Sequence, residues 1–281
     1  MSAPSPLILR PSKDGDRARE RGGSPDVSYR ALKVWQRNRD VFLHIWKAEM
    51  IWPVFEPLIV MLGLGLGLGK FVELESGQDY IQFITPGVMA AFPMWGTIAE
   101  AGWASYNRME NQKTYAAMIA TPVSIDDVIT GEVIWAATKG GISAVYIVLV
   151  AAFLTPFWDL IQSPLVVFVL PVAFLAGIMF GAMALLATSF VSSVSQLAYF
   201  VSIVIMPMFW IGGVFFPLEE MPEGVQIFSW FMPLRHVVDI QRGLVTGDLD
   251  WSMLLNLAWI IVVTLVLYRA VLWSMRRRLI K

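Results

Sequence analysis

Of 281 residues, 57% are hydrophobic and 15% charged, and the mean hydropathy is +0.62. Soluble domains average roughly 45–50% apolar and 25% charged residues, so this composition excludes an ordinary soluble domain. The formal net charge of -1 identifies no partner by itself, and the lack of cysteine excludes a disulfide framework, a thiolate metal site and a cysteine nucleophile.

Residues 1–26 are polar and rich in Pro, Gly, Ser and charge. Such a composition buries too little surface to order itself, so a flexible tail is expected. It lacks the early apolar core of a cleaved signal peptide. Residues 27–48 read differently: Val34, Trp35, Val41, Phe42, Ile45 and Trp46 recur near helical spacing, with Arg30, Lys33, Arg37, Arg39 and Lys47 between them. Basic residues with aromatic anchors predict an amphipathic helix in the membrane interface; an ordinary packing helix is the plainer reading.

Residues 49–281 hold six segments near the roughly 20 apolar residues that a span requires. The first covers 51–72, with Pro53 and Pro57 expected to bend its start. Its glycine run, 63–69, is no phosphate loop, because Leu64 and Phe71 occupy positions where that motif requires Gly and Ser/Thr. Gly63/Gly67 and Gly65/Gly69 instead have the spacing that lets helices approach closely in lipid. A second span, 80–106, contains Trp95 and Glu100, and the third covers 128–154.

Between these two lies an unusual polar interruption, 107–132, mixing helix formers, apolar residues and charges. Over 110–119, Tyr115, Met118 and Ile119 can share one side of a short helix. Thr121-Pro122 then stops it, and Ser124 with Asp127 three residues later resembles a capping box.

The fourth span covers 164–190, with Gly177/Gly181 at close-packing spacing, and the fifth covers 196–216. Residues 225–232 and 234–244 then read as two short helices hinged at Pro233, neither long enough to cross. The sixth span covers 251–273, ahead of a basic tail.

Basic residues set the orientation. Ten lie at or before Lys47; Arg108 and Lys113 lie in the polar interruption, and Arg276, Arg277, Arg278 and Lys281 lie in the tail. The other side has only Lys70, Arg235 and Arg242. The positive-inside rule therefore puts both termini and the polar interruption in the cytosol. The expected fold is an all-α integral membrane protein with six spans, an interfacial helix, a cytosolic short helix and two outer half-helices.

Signs of catalysis are sparse. No nucleophile elbow or zinc-helix motif occurs, and His44 and His236 have no ligand-like neighbours. Asp126 and Asp127 fit helix N-terminal charge. Glu100 and Lys139 are the ionisable residues placed deepest in the spans, either as a structural ion pair or as a transport group.

Together these features resemble the membrane subunits of ABC-2 type exporters, in the branch of the nodulation protein J and polysaccharide-export permeases. The resemblance rests on FEPLIVMLGLGLGLG (55–69), YNRMENQKTYAAMIATPVSIDDVITGE (106–132), MPMFWIGGVFFPLEEMP (206–222) and MPLRHVVDIQRGL (232–244).

The resemblance implies a non-enzymatic permease in a bacterial inner membrane, working as a homodimer. ATP and Mg would be held by a separate ABC ATPase subunit, with no cofactor on this chain and no nucleic-acid partner. A coupling helix over about 108–120 would touch the ATPase through Arg108, Glu110, Asn111, Tyr115, Met118 and Pro122. Phe228, Trp230, Leu234 and His236, in half-helices over about 225–244, would close the outer side. The cargo would be a lipid-linked saccharide, a lipo-oligosaccharide or an amphiphilic drug, passing Trp95, Glu100, Tyr199, Met206, Phe209 and Trp210. An ion-coupled secondary transporter or channel is the alternative of a different class; it would have to use Glu100 and Lys139.

Overall fold

A computed structural model describes residues 26–49, 51–72, 74 and 77–279. The expected tail, the acidic loop residues Glu73 and Glu75, and Lys281 lie outside the described residues, apart from Asp26. All regular elements among the described residues are helices.

Helix α1, Arg30–Glu49, precedes α2, Ile51–Leu68. The axes of α1 and the part of α2 after Pro53 meet at 44°. Proline removes a backbone donor and clashes with the preceding turn, which accounts for a bend there. Helix α1 buries Ala31, Val34, Asn38 and Phe42.

Helix α3, Tyr80–Ala99, runs on through π-helical turns at Glu100–Ala104 and Asn107–Asn111. A six-residue helix α4, Thr114–Ile119, is followed by α5, Ile125–Trp158. Ser124 Oγ accepts from the Asp127 amide at 3.0 Å, and Asp127 Oδ2 accepts from the Ser124 amide at 3.2 Å. This reciprocal capping box starts α5 at Ile125, as its sequence signature predicts. At 34 residues, α5 is the longest element, and at 1.5 Å per residue it measures about 51 Å.

Helix α6, Val169–Phe190, begins after a 3-10 turn at Pro164–Phe168. Helix α7, Val194–Phe200, joins α8, Met206–Ile211, through a π-helical turn at Val201–Ile205. Pro207 lacks the N–H that would continue the regular ladder, and such a gap favours a locally widened turn. Two short helices follow, α9, Glu223–Trp230, and α10, Pro233–Thr246, before α11, Ser252–Leu279. Pro233 opens α10 at a position where its missing N–H goes unused.

Among the described residues, four stretches are long and apolar enough to cross a membrane: Ile125–Trp158, Pro164–Phe190, Val194–Ile211 and Ser252–Leu279. The bent α1–α2 pair would make a fifth. Helix α3, expected from the sequence as a span, is not among them. It contains Gln82, Thr85, Thr97, Pro86 and Pro93, and most of its residues are enclosed by neighbouring helices.

The core lies where α3, α5 and α6 meet, with α11 packed on α6 and α1 packed on α5. Small residues bring these axes close. A Cβ on Gly177 of α6 would sit 2.8 Å from Ala137 Cα of α5, and one on Gly131 of α5 would sit 2.6 Å from Val34 Cβ of α1. Such approaches maximise van der Waals contact where lipid supplies no hydrophobic drive between helices. The two glycine pairs of α2 differ. A Cβ on Gly65 would strike Ile81 Cγ1 at 2.6 Å, whereas Gly63 and Gly67 face open space.

At the far end from the polar loop, α9 and α10 form a non-spanning hairpin. Arg242 of α10 lies over the Phe83 ring, 4.3 Å from its centroid, and donates to the Gly213 carbonyl at 2.9 Å. Gly213 has φ 78°, a left-handed conformation that favours glycine. Tyr80 Oη donates to the Phe215 carbonyl at 3.0 Å, which ties the start of α3 to the same linker.

Candidate coupling face and buried charge cluster

The polar interruption folds into two parts with different roles. Up to Asn111 it is a helical extension of α3. Lys113 then adopts φ 52°, a left-handed conformation that breaks the helix and resets the phase of everything after it. As a result α4 points Tyr115 inward at 1% exposure, while Ala116, Ala117 and Ala120 face solvent.

The expected contact residue Tyr115 thus lies with its ring in the core, where burial pushes its phenol well above the ordinary tyrosine range. Met118 is half-buried, and Asn111 and Pro122 are exposed. The open face of the loop is therefore Asn111, Gln112, Lys113, Ala116, Ala117, Ala120, Thr121 and Pro122.

Arg108, expected on the same contact face, turns inward. Its guanidinium lies 2.5 Å from Glu132 Oε2 and 2.7 Å from Glu100 Oε1, and it donates to Ser105 Oγ at 3.1 Å. Ser105 Oγ in turn donates to Glu132 Oε2 at 2.9 Å, and Asn38 Nδ2 of α1 donates to Glu132 Oε1 at 3.0 Å. Lys139 pairs with Glu49 and lies 3.9 Å from Glu100. These residues join α1, the α3 extension and α5 in one cluster. A buried carboxylate persists only when paired and hydrogen-bonded, and Glu132, with no exposed surface, has all its observed partners here.

Glu100 and Lys139 are thus structurally engaged in ion pairs. Glu132, Asn38 and Ser105 were not singled out from the sequence. The available signal was spacing: Glu132 and Lys139 lie seven residues, two turns, apart and share one side of α5.

The remaining expected pathway residues divide. Trp95 and Phe209 meet edge-on with ring centroids 5.8 Å apart, and Phe209 also contacts Trp210, Phe92 and Phe215. Tyr199, Met206 and Trp210 are exposed on the α7–α8 segment. Among the expected outer residues, Phe228 and Trp230 are exposed on α9. Leu234 and His236, by contrast, are buried: the amphipathic phase of α10 turns them inward. His236 stacks on Trp259 at 4.1 Å, and its ring nitrogens lie 2.8 Å from Asn256 Oδ1 and from the Trp230 carbonyl. It joins α9, α10 and α11. Among the described residues, no three His, Cys, Asp or Glu side chains converge as metal ligands.

The family comparison decides the class. Residues 30–245 match the ABC-2 type transporter family. The chain belongs to that family. It is a multi-pass membrane permease, and the family as a whole works with an ABC ATPase partner. Nodulation protein J of Rhizobium meliloti (strain 1021) is 32% identical over 226 residues, covering 80% of this chain and 84% of the relative. Nodulation protein J of Rhizobium leguminosarum bv. viciae is 29% identical over 252 residues, covering 89% and 95%. The inner membrane transport permease YadH of Escherichia coli (strain K12) is 24% identical over 249 residues, covering 88% and 95%.

Proposed function

We propose that this ABC-2 family chain is the membrane-spanning subunit of an exporter that moves a lipid-linked saccharide, lipo-oligosaccharide or similar amphiphile across a bacterial inner membrane. A separate ATPase subunit drives it, and two copies of the chain assemble with two ATPase subunits. Helices α2 and α3 complete six spans, both termini lie in the cytosol, and α1 lies along the inner interface.

The observation that carries this reading is the loop at 111–122. It presents small and polar residues to solvent between the α3 extension and α5, the two elements that carry the Arg108–Glu132 pair. A partner pressing on Ala116, Ala117 and Pro122 would act on a segment that directly connects the α3 extension to α5. ATP-driven rearrangement of that partner then shifts the bundle between states by binding them with different affinity. Exposed aromatic residues on α7, α8 and α9 offer surfaces suited to sugar faces or acyl chains, and aromatic belts at the membrane surface use the same residues.

An ion-coupled transporter would have to use Glu100 and Lys139. In the structure both are held in ion pairs, which favours the exporter reading. The test is co-purification from the native host of an ATPase whose capture falls when Ala117 is replaced by Arg. An unaltered complex with this variant removes the loop as the contact.

A further inference from the structure

The basic C-terminus, read from sequence only as a topological signal, is engaged in specific contacts. At the end of α11, Arg278 Nη2 lies 2.8 Å from Glu110 Oε1. Its other terminal nitrogen donates to the Thr188 carbonyl at 2.5 Å and the Val191 carbonyl at 2.7 Å. Two residues earlier, Arg276 Nε donates to Asp126 Oδ1 at 2.7 Å. Arg277 between them instead stacks on Trp273, 3.8 Å from its ring centroid.

Glu110 and Asp126 bracket the solvent-facing loop: Glu110 lies in the last turn of the α3 extension, and Asp126 lies in the first turn of α5. Residues two apart on a helix point about 200° apart, so a single turn of α11 can reach both ends of the loop at once. The Arg278 contact lines a cavity of about 440 Å³ with Ser189, Ser192 and Glu110. That recess is open to solvent, so the bridge sits at the edge of the bundle.

We infer that Arg276 and Arg278 are positioning residues of the coupling element: the end of α11 clamps both ends of the loop and fixes its angle to the bundle. The role rests on the loop being the ATPase contact, but the clamp itself is testable on the chain alone. By holding the Thr188 and Val191 carbonyls at the end of α6, Arg278 also ties the loop to the α6–α7 turn. Movement of the loop is thereby transmitted to α6 and α11 as well as to α3 and α5.

The experiment is a double-mutant cycle on a single spin label. The chain has no native cysteine, so Gln112→Cys gives one labelled site in the loop. In Arg278→Gln and in Glu110→Gln, we expect loss of the immobilised component of the label's spectrum, and the double variant should lose no more than either single one. Arg278→Lys, which keeps the charge, should retain most of it. Unchanged mobility in Arg278→Gln, or fully additive losses in the double variant, would overturn the clamp. ATPase capture is measured in parallel on the complex. A released loop with capture abolished supports both readings, whereas an intact clamp with no capture by the unmutated chain overturns only the assignment of the loop to an ATPase.

Discussion

Arg108 reaches from the α3 extension to within 2.5 Å of the Glu132 carboxylate, which lies on α5 with no exposed surface. Arg108→Gln would leave that carboxylate facing Glu100 without its guanidinium partner. Removing one member of a buried pair costs about 3–5 kcal/mol, because the survivor stays uncompensated. A large drop in melting temperature in detergent is expected, with partial recovery in Arg108→Gln/Glu132→Gln. A double variant less stable than the single one would show that Glu132 is held by other partners.

The two glycine spacings of α2 should separate experimentally. Gly65→Leu forces Ile81 of α3 aside, while Gly63→Leu adds a side chain in open space. Yield and monodispersity should fall for Gly65→Leu, and the folded monomer should tolerate Gly63→Leu. Equal losses in both would contradict the described α2–α3 packing.

Tyr115→Asp and Ala117→Arg distinguish core from surface on one short helix. Burying a carboxylate in place of the Tyr115 ring should destabilise the chain itself, since an unpaired charge is expensive inside a protein. Ala117→Arg should leave the free energy of unfolding within about 0.5 kcal/mol of the parent, as surface changes usually do, while reducing ATPase capture. Normal folding of Tyr115→Asp would place that ring outside the core.

The Arg278 hydrogen bond holds the Glu110 carboxyl below its ordinary range. A depressed folded-state value means that the stabilisation is complete above the usual glutamate value of about 4.3 and is lost as pH falls through the lower, folded-state value. A spin label at Gln112 should therefore keep its mobility from neutral pH down to about 5 and loosen only in stronger acid. Loosening near neutral pH would rule out Glu110 as the anchor.

The fold was legible where the signal was local. Ser124 and Asp127 marked the start of α5, Pro233 divided α9 from α10, and the close packing expected of Gly177/Gly181 is realised at Gly177. The direction of Tyr115 was not legible, because its periodic reading assumed an unbroken helix over 110–119. A left-handed Lys113 resets that phase. Glu132 and Asn38 escaped notice because their partners lie far away in the chain, 94 residues apart in the case of this pair. Leu234 and His236 carried the right amphipathic pattern, but a pattern does not say which face is covered. The C-terminal arginines satisfied a topology rule so well that nothing in the sequence called for a second role.

Co-purification of the tagged chain from its native host, with ATP hydrolysis assayed on the eluate, decides whether this chain works with an ATPase subunit. An ABC ATPase is expected in the eluate, lost in Ala117→Arg with the membrane chain still folded. A folded chain that elutes alone and without ATP hydrolysis would contradict it.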